Sequence, residues 1–442
     1  MGVRTGMTLA LLLGALAVFA DDIRYVYLAT NSTVVLTYAL SWNVATANRS
    51  LSLQYLSNVS ISNPQYAVLH PTLPVLYSIE RSAIYNPANF TPVPTANTNN
   101  NTALAALLNN TLSGGLAATA LNHTSRLPVS VISRVPSLGI GPDFVGIVGA
   151  TPITAAFPQP NNYASQDSTF FLVTTTYSSG TASVFRLDSN TGAIIWPPTS
   201  VFFLSAAEVG VATNNSRQGL PTAHHFVQRA RPSYSNGTID VFVTNLGTDH
   251  VFEFNLNLRN GALQQNRKEM QVSLGNGPRH IAFNPTNPPF AYLINEVASK
   301  LTLFNSNDLT IIQELSTIDT SSFFGTNTAA EVVVHPNGKF VYASNRGENT
   351  VAVFAIDQIT ARLTFVSRVS SGGSFPRYIT LVNLSETAGK FTEEDCTKNG
   401  VYVLLLSNYN SNNFVGFDVD NQTGTLTKIF SQATTLSGFG IA

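Results

Sequence analysis

Short stretches of apolar residues alternate with turn residues along most of the chain. The clearest stretch, residues 329–357, reads AAEVVVHPNGKFVYASNRGENTVAVFAID. Its Val, Phe and Tyr residues suit a pleated sheet, and Pro-Asn-Gly favours a tight reversal between two strands. The pattern predicts three strands, at 331–335, 339–344 and 350–356. A polar loop follows the second strand and places Arg346 at its tip.

The same unit recurs at intervals of about 50 residues over much of the chain. The equivalent ends of the second strand lie near residues 176, 245, 295, 345 and 408, with weaker copies near residue 80 and at the N-terminus. About seven repeats of this length, each with four short strands, are typical of a β-propeller. We therefore predict an all-β fold, a seven-bladed β-propeller of four-stranded antiparallel sheets, as one domain from 21 to 442. Ring closure would pair an N-terminal strand at 24–29 with C-terminal strands.

The first 20 residues, MGVRTGMTLALLLGALAVFA, have the pattern of a signal peptide. Arg4 supplies the positive start, and small residues precede Asp21. The apolar run is shorter than the roughly 20 residues needed to cross a bilayer. The sequence thus predicts a secreted protein, extracellular or cell-wall associated, with no membrane span after cleavage.

Composition narrows the range of partners. Charged residues make up 11% of the chain and the formal net charge is -1, whereas about 25% is usual in soluble domains. Nothing in this balance attracts nucleic acid, and we expect no nucleic-acid partner. Cys396 is the only cysteine, so no intrachain disulfide can form, and we interpret it as a passive residue.

Sequons for N-linked glycosylation are frequent, as expected for exposed loops of a secreted chain. The candidate acceptors are Asn31, Asn48, Asn58, Asn89, Asn100, Asn109, Asn122, Asn214, Asn236, Asn383 and Asn421. Many of them lie in or near an Asn/Thr/Ala-rich region at about 82–166, which has few large apolar residues. We interpret this region as a glycan-rich, low-complexity insertion between early blades, with one or two helical turns at 103–108 and blade structure resuming near 127–132. A lid over a substrate site is the alternative function for such a long loop.

Candidate chemistry follows from positions that repeat between blades. The loop after the second strand carries Glu296 in one copy and Arg346 in the next. A second set precedes these strands, in GLPTAHHFV, GNGPRHIAF and SFPRYITLV. This set consists of His224, His225, Arg279, His280 and Arg377. If equivalent loops face one axis, the two sets meet at one end of the propeller.

This set of residue types suits a small anionic substrate. Arg binds carboxylates bidentately, and Glu and His move protons near neutral pH. The alternative is structural, because arginines on propeller loops also pair with carbonyls and carboxylates of neighbouring blades. We predict no metal site: His224 and His225 are adjacent and would point to opposite faces of a regular strand. No HExxH motif, paired cysteines, Asp-rich calcium loop, GxSxG elbow or phosphate-binding glycine loop is present.

The segments HPNGKFVYASNRGENTVAVF, GNGPRHIAFNP with YLINEVASKLTLF, and AHHF with VTNLGTDHVFEF resemble the lactonase family of seven-bladed propellers. That family includes 6-phosphogluconolactonases and fungal 3-carboxy-cis,cis-muconate cyclases. The resemblance is clear over residues 169–435 and weak over 22–81. Thr222 stands where the family usually has the first histidine of a His-X-His motif.

The resemblance implies catalytic roles for His224, Arg279, Glu296 and Arg346, around one cavity within about 10 Å of each other. It implies neither a cofactor nor a metal. The arginines would bind a carboxylate-bearing substrate, and Glu296 or His224 would deliver a proton as a lactone forms; in a lactone hydrolase the same groups would activate water. The neighbouring His225, His280 and Arg377 would bind substrate. The alternative function is a secreted or wall-associated propeller glycoprotein that binds without turnover.

Overall fold

The computed structural model describes residues 19–20, 23–43, 50–85, 97–108, 113–149, 170–204, 217–229, 237–384, 400–434 and 438–441. These residues form seven β-sheets in which the successive strands of each blade pair antiparallel. Neighbouring sheets contact each other in cyclic order around a ring. The predicted seven-bladed β-propeller of four-stranded antiparallel sheets is therefore confirmed.

The strands are, in chain order, β1 (Phe19–Ala20), β2 (Ile23–Thr30), β3 (Val34–Asn43), β4 (Ser50–Ser60), β5 (Ala67–Leu69), β6 (Val75–Tyr85), β7 (Asn97–Thr98), β8 (Ser113–Leu121), β9 (Pro128–Pro136), β10 (Pro142–Gly149), β11 (Phe170–Thr176), β12 (Thr181–Leu187), β13 (Ile194–Phe203), β14 (Ala223–Gln228), β15 (Thr238–Asn245), β16 (His250–Asn257), β17 (Leu263–Gln271), β18 (Pro278–Phe283), β19 (Phe290–Asn295), β20 (Lys300–Asn305), β21 (Thr310–Ser316), β22 (Ala329–Val334), β23 (Phe340–Asn345), β24 (Thr350–Ile356), β25 (Leu363–Ser370), β26 (Pro376–Asn383), β27 (Tyr402–Asn408), β28 (Asn413–Val419), β29 (Leu426–Ala433) and β30 (Gly438–Ile441). One α-helix, α1 (Asn101–Leu108), and a 3-10 turn at Leu246–Thr248 complete the described elements.

Seven blades follow from the strand pairing, each written from its innermost strand outward. Blade I is β30-β2-β3-β4, blade II β5-β6-β8-β9, blade III β10-β11-β12-β13, and blades IV to VII are β14–β17, β18–β21, β22–β25 and β26–β29. In blade I, Leu28 pairs with Ile441 across the antiparallel β2–β30 ladder. The C-terminal strand thus completes the blade that the N-terminal strands begin, as the sequence predicted.

The burial of each blade explains its sequence pattern. The second strand of blade VI, β23, is buried at every position, because neighbouring blades cover both of its faces. Its outermost strand, β25, is largely exposed or half-buried. Inner strands therefore read as continuous apolar runs, whereas outer strands carry polar residues on the solvent side.

The predicted insertion at about 82–166 requires correction, because it contains blade strands. β8 belongs to blade II and β10 is the inner strand of blade III, whereas β9, also in blade II, is the blade structure expected near 127–132. β8 reads SGGLAATAL, and its small residues hide the run of large apolar residues that marks other buried strands. The helical turns expected at 103–108 are present as α1, whose Leu104 packs against Leu138 and Val201.

Several sequence predictions fall wholly or largely outside the described residues. They are the signal peptide over residues 1–18, Cys396, and the sequons at Asn48, Asn89, Asn109, Asn214 and Asn236. Four other acceptors are exposed: Asn31, Asn58, Asn100 and Asn122. Asn383 and Asn421 are half-buried, and Asn421 donates its side-chain N–H to the Gly400 carbonyl at 2.5 Å. No helix within the described ranges is long and apolar enough to cross a lipid bilayer.

Candidate active site

Bulges in the inner strands present two consecutive side chains to the central channel. The strand register shifts between Pro142 and Phe144 in blade III, and equivalent shifts occur in blades IV, V and VII. A bulge leaves one residue unpaired, so the usual alternation of side chains between two faces is lost. The unpaired residues are Asp143, His224, Arg279 and Arg377.

The bulge corrects the expectation that His224 and His225 point to opposite faces. The His224 ring lies 5.0 Å from the His280 ring, and the His225 ring stacks on the same His280 ring at 4.5 Å. All three imidazoles therefore belong to one cluster. A regular strand would have separated the first two.

Glu296 lies at the centre of three arginines. Arg279 donates from Nε to Glu296 Oε2 at 3.1 Å, and Arg346 lies 2.8 Å from the same oxygen through Nη2. Arg217 makes a short contact with the other carboxylate oxygen. The loop after β19 supplies Glu296 and the loop after β23 supplies Arg346, so two adjacent blades meet at this carboxylate.

Backbone carbonyls also accept hydrogen bonds from Arg346 and Arg279. Arg346 Nη2 donates to the Ala329 carbonyl at 2.7 Å, and Arg279 Nη1 donates to the Ala330 carbonyl at 2.6 Å. Burial lowers the pKa of Arg279 to about 9 and the pKa of Arg346 to about 10. Both guanidiniums therefore remain charged at neutral pH.

Asp143 forms a second cluster across the channel. It contacts Arg81 closely, lies 3.0 Å from His224 Nε2, and lies 3.8 Å from Arg377 Nη2. Burial alone would raise the pKa of this carboxyl, but the charges of Arg81 and Arg377 outweigh burial and hold the pKa below its ordinary value. Asp143 is therefore ionised at neutral pH.

A second layer of side chains is formed by the residues that follow the bulges, together with Tyr66. His280 Nδ1 lies 2.7 Å from Glu331 Oε1, and both side chains are buried. Phe144 packs edge-on against His225 at 4.6 Å, and Tyr66 packs against Tyr378 at 5.9 Å. Aromatic side chains therefore surround the His280 ring.

The ionisable groups of this layer are perturbed by burial. Burial raises the pKa of Glu331 to about 7, against the opposing charge of Arg279. Burial, followed by the charge of Arg279, lowers the pKa of both His224 and His280 well below the usual value. The imidazoles are consequently neutral at physiological pH, and the Glu331 carboxyl is close to half-protonated.

Positive charge exceeds negative charge in the channel. Its ion pairs bring together five guanidiniums and three carboxylates, from Arg81, Arg217, Arg279, Arg346, Arg377, Asp143, Glu296 and Glu331. With neutral histidines and all three carboxylates ionised, two positive charges are in excess. Arg279 and Arg346 are buried and are matched by the buried carboxylates, whereas Arg81 and Arg377 are half-buried and Arg217 is exposed. The surplus charge therefore lies on the more accessible guanidiniums, where it favours an anionic ligand.

No group of three or more His, Cys, Asp or Glu side chains in the described part of the chain could hold a metal ion. A groove of about 520 Å³ opens elsewhere, between the outer strands β21 and β25, and is lined by Leu315, Phe354 and Phe365 with Arg368. None of the clustered ionisable groups lines this groove. The groove is therefore a feature separate from the channel cluster.

Comparison with known families gives the wider context of this channel. A family model described as "Lactonase, 7-bladed beta-propeller" matches residues 153–438. The chain belongs to this lactonase family. The matched range contains all seven predicted site residues.

Individual lactonase-family relatives are distant. A 6-phosphogluconolactonase of Bacillus subtilis (strain 168) is 29% identical over 274 residues, 61% of this chain and 69% of the relative. A protein of the same name from Formosa agariphila is 29% identical over 266 residues, 59% of this chain and 66% of the relative. These alignments thus leave about a third of each relative unmatched.

Two solved structures share the fold over nearly the whole chain. A periplasmic gluconolactonase of Pseudomonas aeruginosa superposes with a TM-score of 0.68 at 20% identity, covering 95% of this chain and 98% of that one. A putative 6-phosphogluconolactonase of Bacteroides uniformis gives a TM-score of 0.67 at 21% identity, covering 96% and 99%. At such identities the likeness shows the fold alone.

Within the lactonase propeller, the structure brings together every side chain that the sequence singled out. His224, His225, Arg279, His280, Glu296, Arg346 and Arg377 all lie in the channel cluster. The sequence-based choice missed Asp143, Glu331, Arg81 and Arg217.

The positions of most of the missed residues within the sequence repeat could have identified them. Pro142-Asp143-Phe144 has the same frame as Pro278-Arg279-His280, and Glu331 occupies the frame of His280 in the next blade. Arg81 occupies, in blade II, the place that Arg346 has in blade VI. Arg217 lies in the loop before β14 and corresponds to no repeated position, so only the fold identifies it.

Proposed function

We propose that this lactonase-family chain is an enzyme that opens or forms the lactone ring of a small molecule carrying a carboxylate. The observation that carries the proposal is the convergence of five guanidiniums, two of them buried, on the carboxylates of Glu296 and Asp143. Arg binds carboxylates in a planar, bidentate geometry, and a guanidinium stabilises negative charge that develops on a carbonyl oxygen. Neutral histidines beside these arginines supply proton acceptors.

Each group has a role in lactone opening. One guanidinium binds the substrate carboxylate, and a second stabilises the oxyanion that forms as water attacks the lactone carbonyl carbon. Glu296 holds Arg279 and Arg346 in place. Lactone formation of the cyclase type is a different reaction on the same groups: a substrate carboxylate oxygen bonds to one carbon of a C=C bond, the π bond breaks, and the cluster delivers a proton to the other carbon. The finer form of the proposal is a reaction like that of 3-carboxy-cis,cis-muconate cyclase.

The proposal is tested by assaying the purified protein on 3-carboxymuconate and on aliphatic and aromatic lactones, with and without a carboxylate. We expect turnover of carboxylate-bearing substrates only. Arg346→Gln should lower kcat/KM by about 10²-fold, since one charge-assisted contact is worth about 3 kcal/mol. Arg362→Gln removes an exposed arginine outside the channel and serves as the matched control. Binding of the acids without any turnover would favour a non-catalytic carbohydrate-bearing propeller instead.

The proposal also includes secretion. Residues 1–20 have the signal-peptide pattern, and four sequon asparagines, at 31, 58, 100 and 122, are exposed. Expression in a glycosylating host should yield medium-borne protein that begins at Asp21 and loses mass on treatment with an N-glycosidase. Retention inside the cells with an intact N-terminus would contradict this part.

A further inference from the structure

Two carboxylate–imidazole pairs lie in the channel with similar geometry. Asp143 Oδ2 lies 3.0 Å from His224 Nε2, and Glu331 Oε1 lies 2.7 Å from His280 Nδ1. A carboxylate that binds one ring nitrogen orients the imidazole and leaves the other nitrogen for chemistry. Each pair therefore has the form of a proton-transfer device.

The two carboxylates differ in their own partners. Asp143 is held by Arg81 and Arg377, which keep it ionised. Protonation of His224 would therefore create an imidazolium among arginines, with no second acceptor for the proton. Glu331 Oε2, in contrast, is buried and has no hydrogen-bond partner in the described structure. Its nearest cation is Arg279, whose Nη1 lies at 3.9 Å.

The surroundings of Glu331 set how the pair carries a proton. Arg279 and His280 face it from β18, His225 from β14, and Arg377 and Tyr378 from β26. Burial, and after it the charges of Arg279 and Arg377, lower the pKa of His280 well below the usual value and keep the imidazole neutral. His280 therefore cannot store a proton as an imidazolium, although it can pass one between its two nitrogens. The raised pKa of Glu331, about 7, makes that carboxyl able to receive it.

We propose that His280 and Glu331 form a proton relay in which His280 is the catalytic residue and Glu331 is the positioning residue that stores the proton. The relay rests on the proposed lactone chemistry. As water bonds to the lactone carbonyl carbon, its proton moves to His280 Nε2 and the Nδ1 proton moves to Glu331 Oε1. When the ring C–O bond breaks, the ring oxygen takes the proton from Nε2, and Glu331 returns its proton to Nδ1. The product is a hydroxy acid, whose new carboxyl group releases its proton to solvent.

The relay predicts a pH-dependent tautomer of His280. When Glu331 is ionised it accepts from Nδ1–H, which leaves Nε2 unprotonated and ready to accept a proton. When Glu331 is protonated it donates to Nδ1, and Nε2 carries the hydrogen. Because the pKa of Glu331 is about 7, the base form is lost as the pH falls through neutrality. The rate of lactone opening should therefore have an acid limb near pH 7.

The tautomer is measured directly by NMR on full-length protein labelled with ¹⁵N-histidine, between pH 5.5 and 8.5. We expect the His280 signals to change from the Nδ1–H form to the Nε2–H form as the pH falls, without reaching the imidazolium form. Assignment comes from the signals lost in His280→Asn. In Glu331→Gln the His280 tautomer should not depend on pH. A wild-type His280 that keeps one tautomer across this range, or that becomes an imidazolium, overturns the relay.

Kinetics test whether the relay serves turnover. Glu331→Gln preserves shape but cannot take up a proton, so kcat should fall about 10²-fold, KM should change by less than about threefold, and the acid limb should disappear. Glu331→Asp should restore part of kcat and an acid limb at shifted pH, which a purely structural role would not produce. The matched control is Glu253→Gln. Glu253 lies on β16, the third strand of blade IV, and its buried carboxylate pairs with Arg229.

The two proposals fail in distinguishable ways. If the wild-type protein turns over no lactone, the proposed function is contradicted. The NMR measurement on the same samples still shows whether Glu331 and His280 exchange a proton. Active wild-type protein whose Glu331→Gln variant retains both its rate and its acid limb overturns the relay and leaves the lactonase proposal standing. Loss of the acid limb in His224→Asn alone would assign proton transfer to the Asp143 pair instead.

Discussion

Charged side chains are scarce in this chain, and many of them crowd into the channel. Each channel carboxylate contacts at least one guanidinium, and Glu296 contacts three. The reason is energetic: a buried ion that loses its partner costs about 3–5 kcal/mol. At the scale of single residues, the stability of the folded state therefore depends on the ion pairs of the site.

Asp143→Asn tests this condition. The substitution keeps the side-chain shape but leaves Arg81 and Arg377 without their shared counter-charge. We expect the free energy of unfolding at pH 7 to fall by about 3 kcal/mol, measured by urea denaturation. Glu269→Gln removes an exposed carboxylate and should change it little.

The pH dependence of that difference follows from the pKa of Asp143. Because the folded-state pKa lies below the ordinary value of 3.8, the unfolded chain binds the proton first as the pH falls. The stability that Asp143 supplies is therefore fully present above that value and is lost as the pH falls through the folded-state pKa. A stability difference between wild type and variant that stayed constant down to pH 2 would contradict the ion-pair explanation.

At the scale of elements, the strands were predictable and their irregularities were not. The predicted strands at 331–335, 339–344 and 350–356 agree within two residues with β22, β23 and β24. Turn residues and apolar runs are local signals, so one sequence suffices to read them. A bulge is the result of pairing with another strand, and the apposition of His224 and His225 with His280 could not be read from spacing. The partnership of Asp143 with Arg81 and Arg377 depends likewise on the order of blades around the ring.

Two segments that lead into site residues are each held by a side chain from the preceding blade. In both cases the backbone of the residue that holds the segment is in the left-handed region. Asp249, at φ 61°, accepts hydrogen bonds from the backbone N–H groups of Gly275 and Gly277 at 2.8 and 2.7 Å. Asn349, at φ 56°, accepts one from the Phe375 N–H at 2.7 Å. Asp and Asn tolerate this backbone region better than other non-glycine residues. The Asp249 hydrogen bonds fix the segment that leads into Arg279.

Asp249→Ala should release that segment. Alanine loses the hydrogen bonds and disfavours the left-handed backbone, so we expect a loss of about 3 kcal/mol in the free energy of unfolding. Asp249→Asn keeps one acceptor and the backbone preference, and should lose about half as much. Hydrogen exchange of residues 272–277 should accelerate in the alanine variant. Unchanged exchange there would show that Asp249 does not hold the loop.

At the scale of the whole molecule, the channel exists only because the ring is closed. One buried apolar cluster runs through blades VII, I, II, III and IV, so the packing of each blade depends on its neighbours. β30 joins the two ends of the chain by pairing with β2 and contacting β26 and β27. Residues from blades II to VII meet in the channel, and an open ring would move them apart.

Deletion of residues 435–442 removes β30 and leaves β2 unpaired on its inner edge from Leu28 to Thr30. We expect a lower melting temperature in a circular-dichroism melt, a broader transition, and aggregation through the exposed edge. A synthetic peptide of residues 435–442 should raise the melting temperature in proportion to the logarithm of its concentration, because it binds the folded ring and not the unfolded chain. A peptide with the same residues in scrambled order is the control. If the truncated chain melts at the wild-type temperature, the pairing of β30 with β2 contributes nothing to closure, and the channel must be held by packing between blades alone.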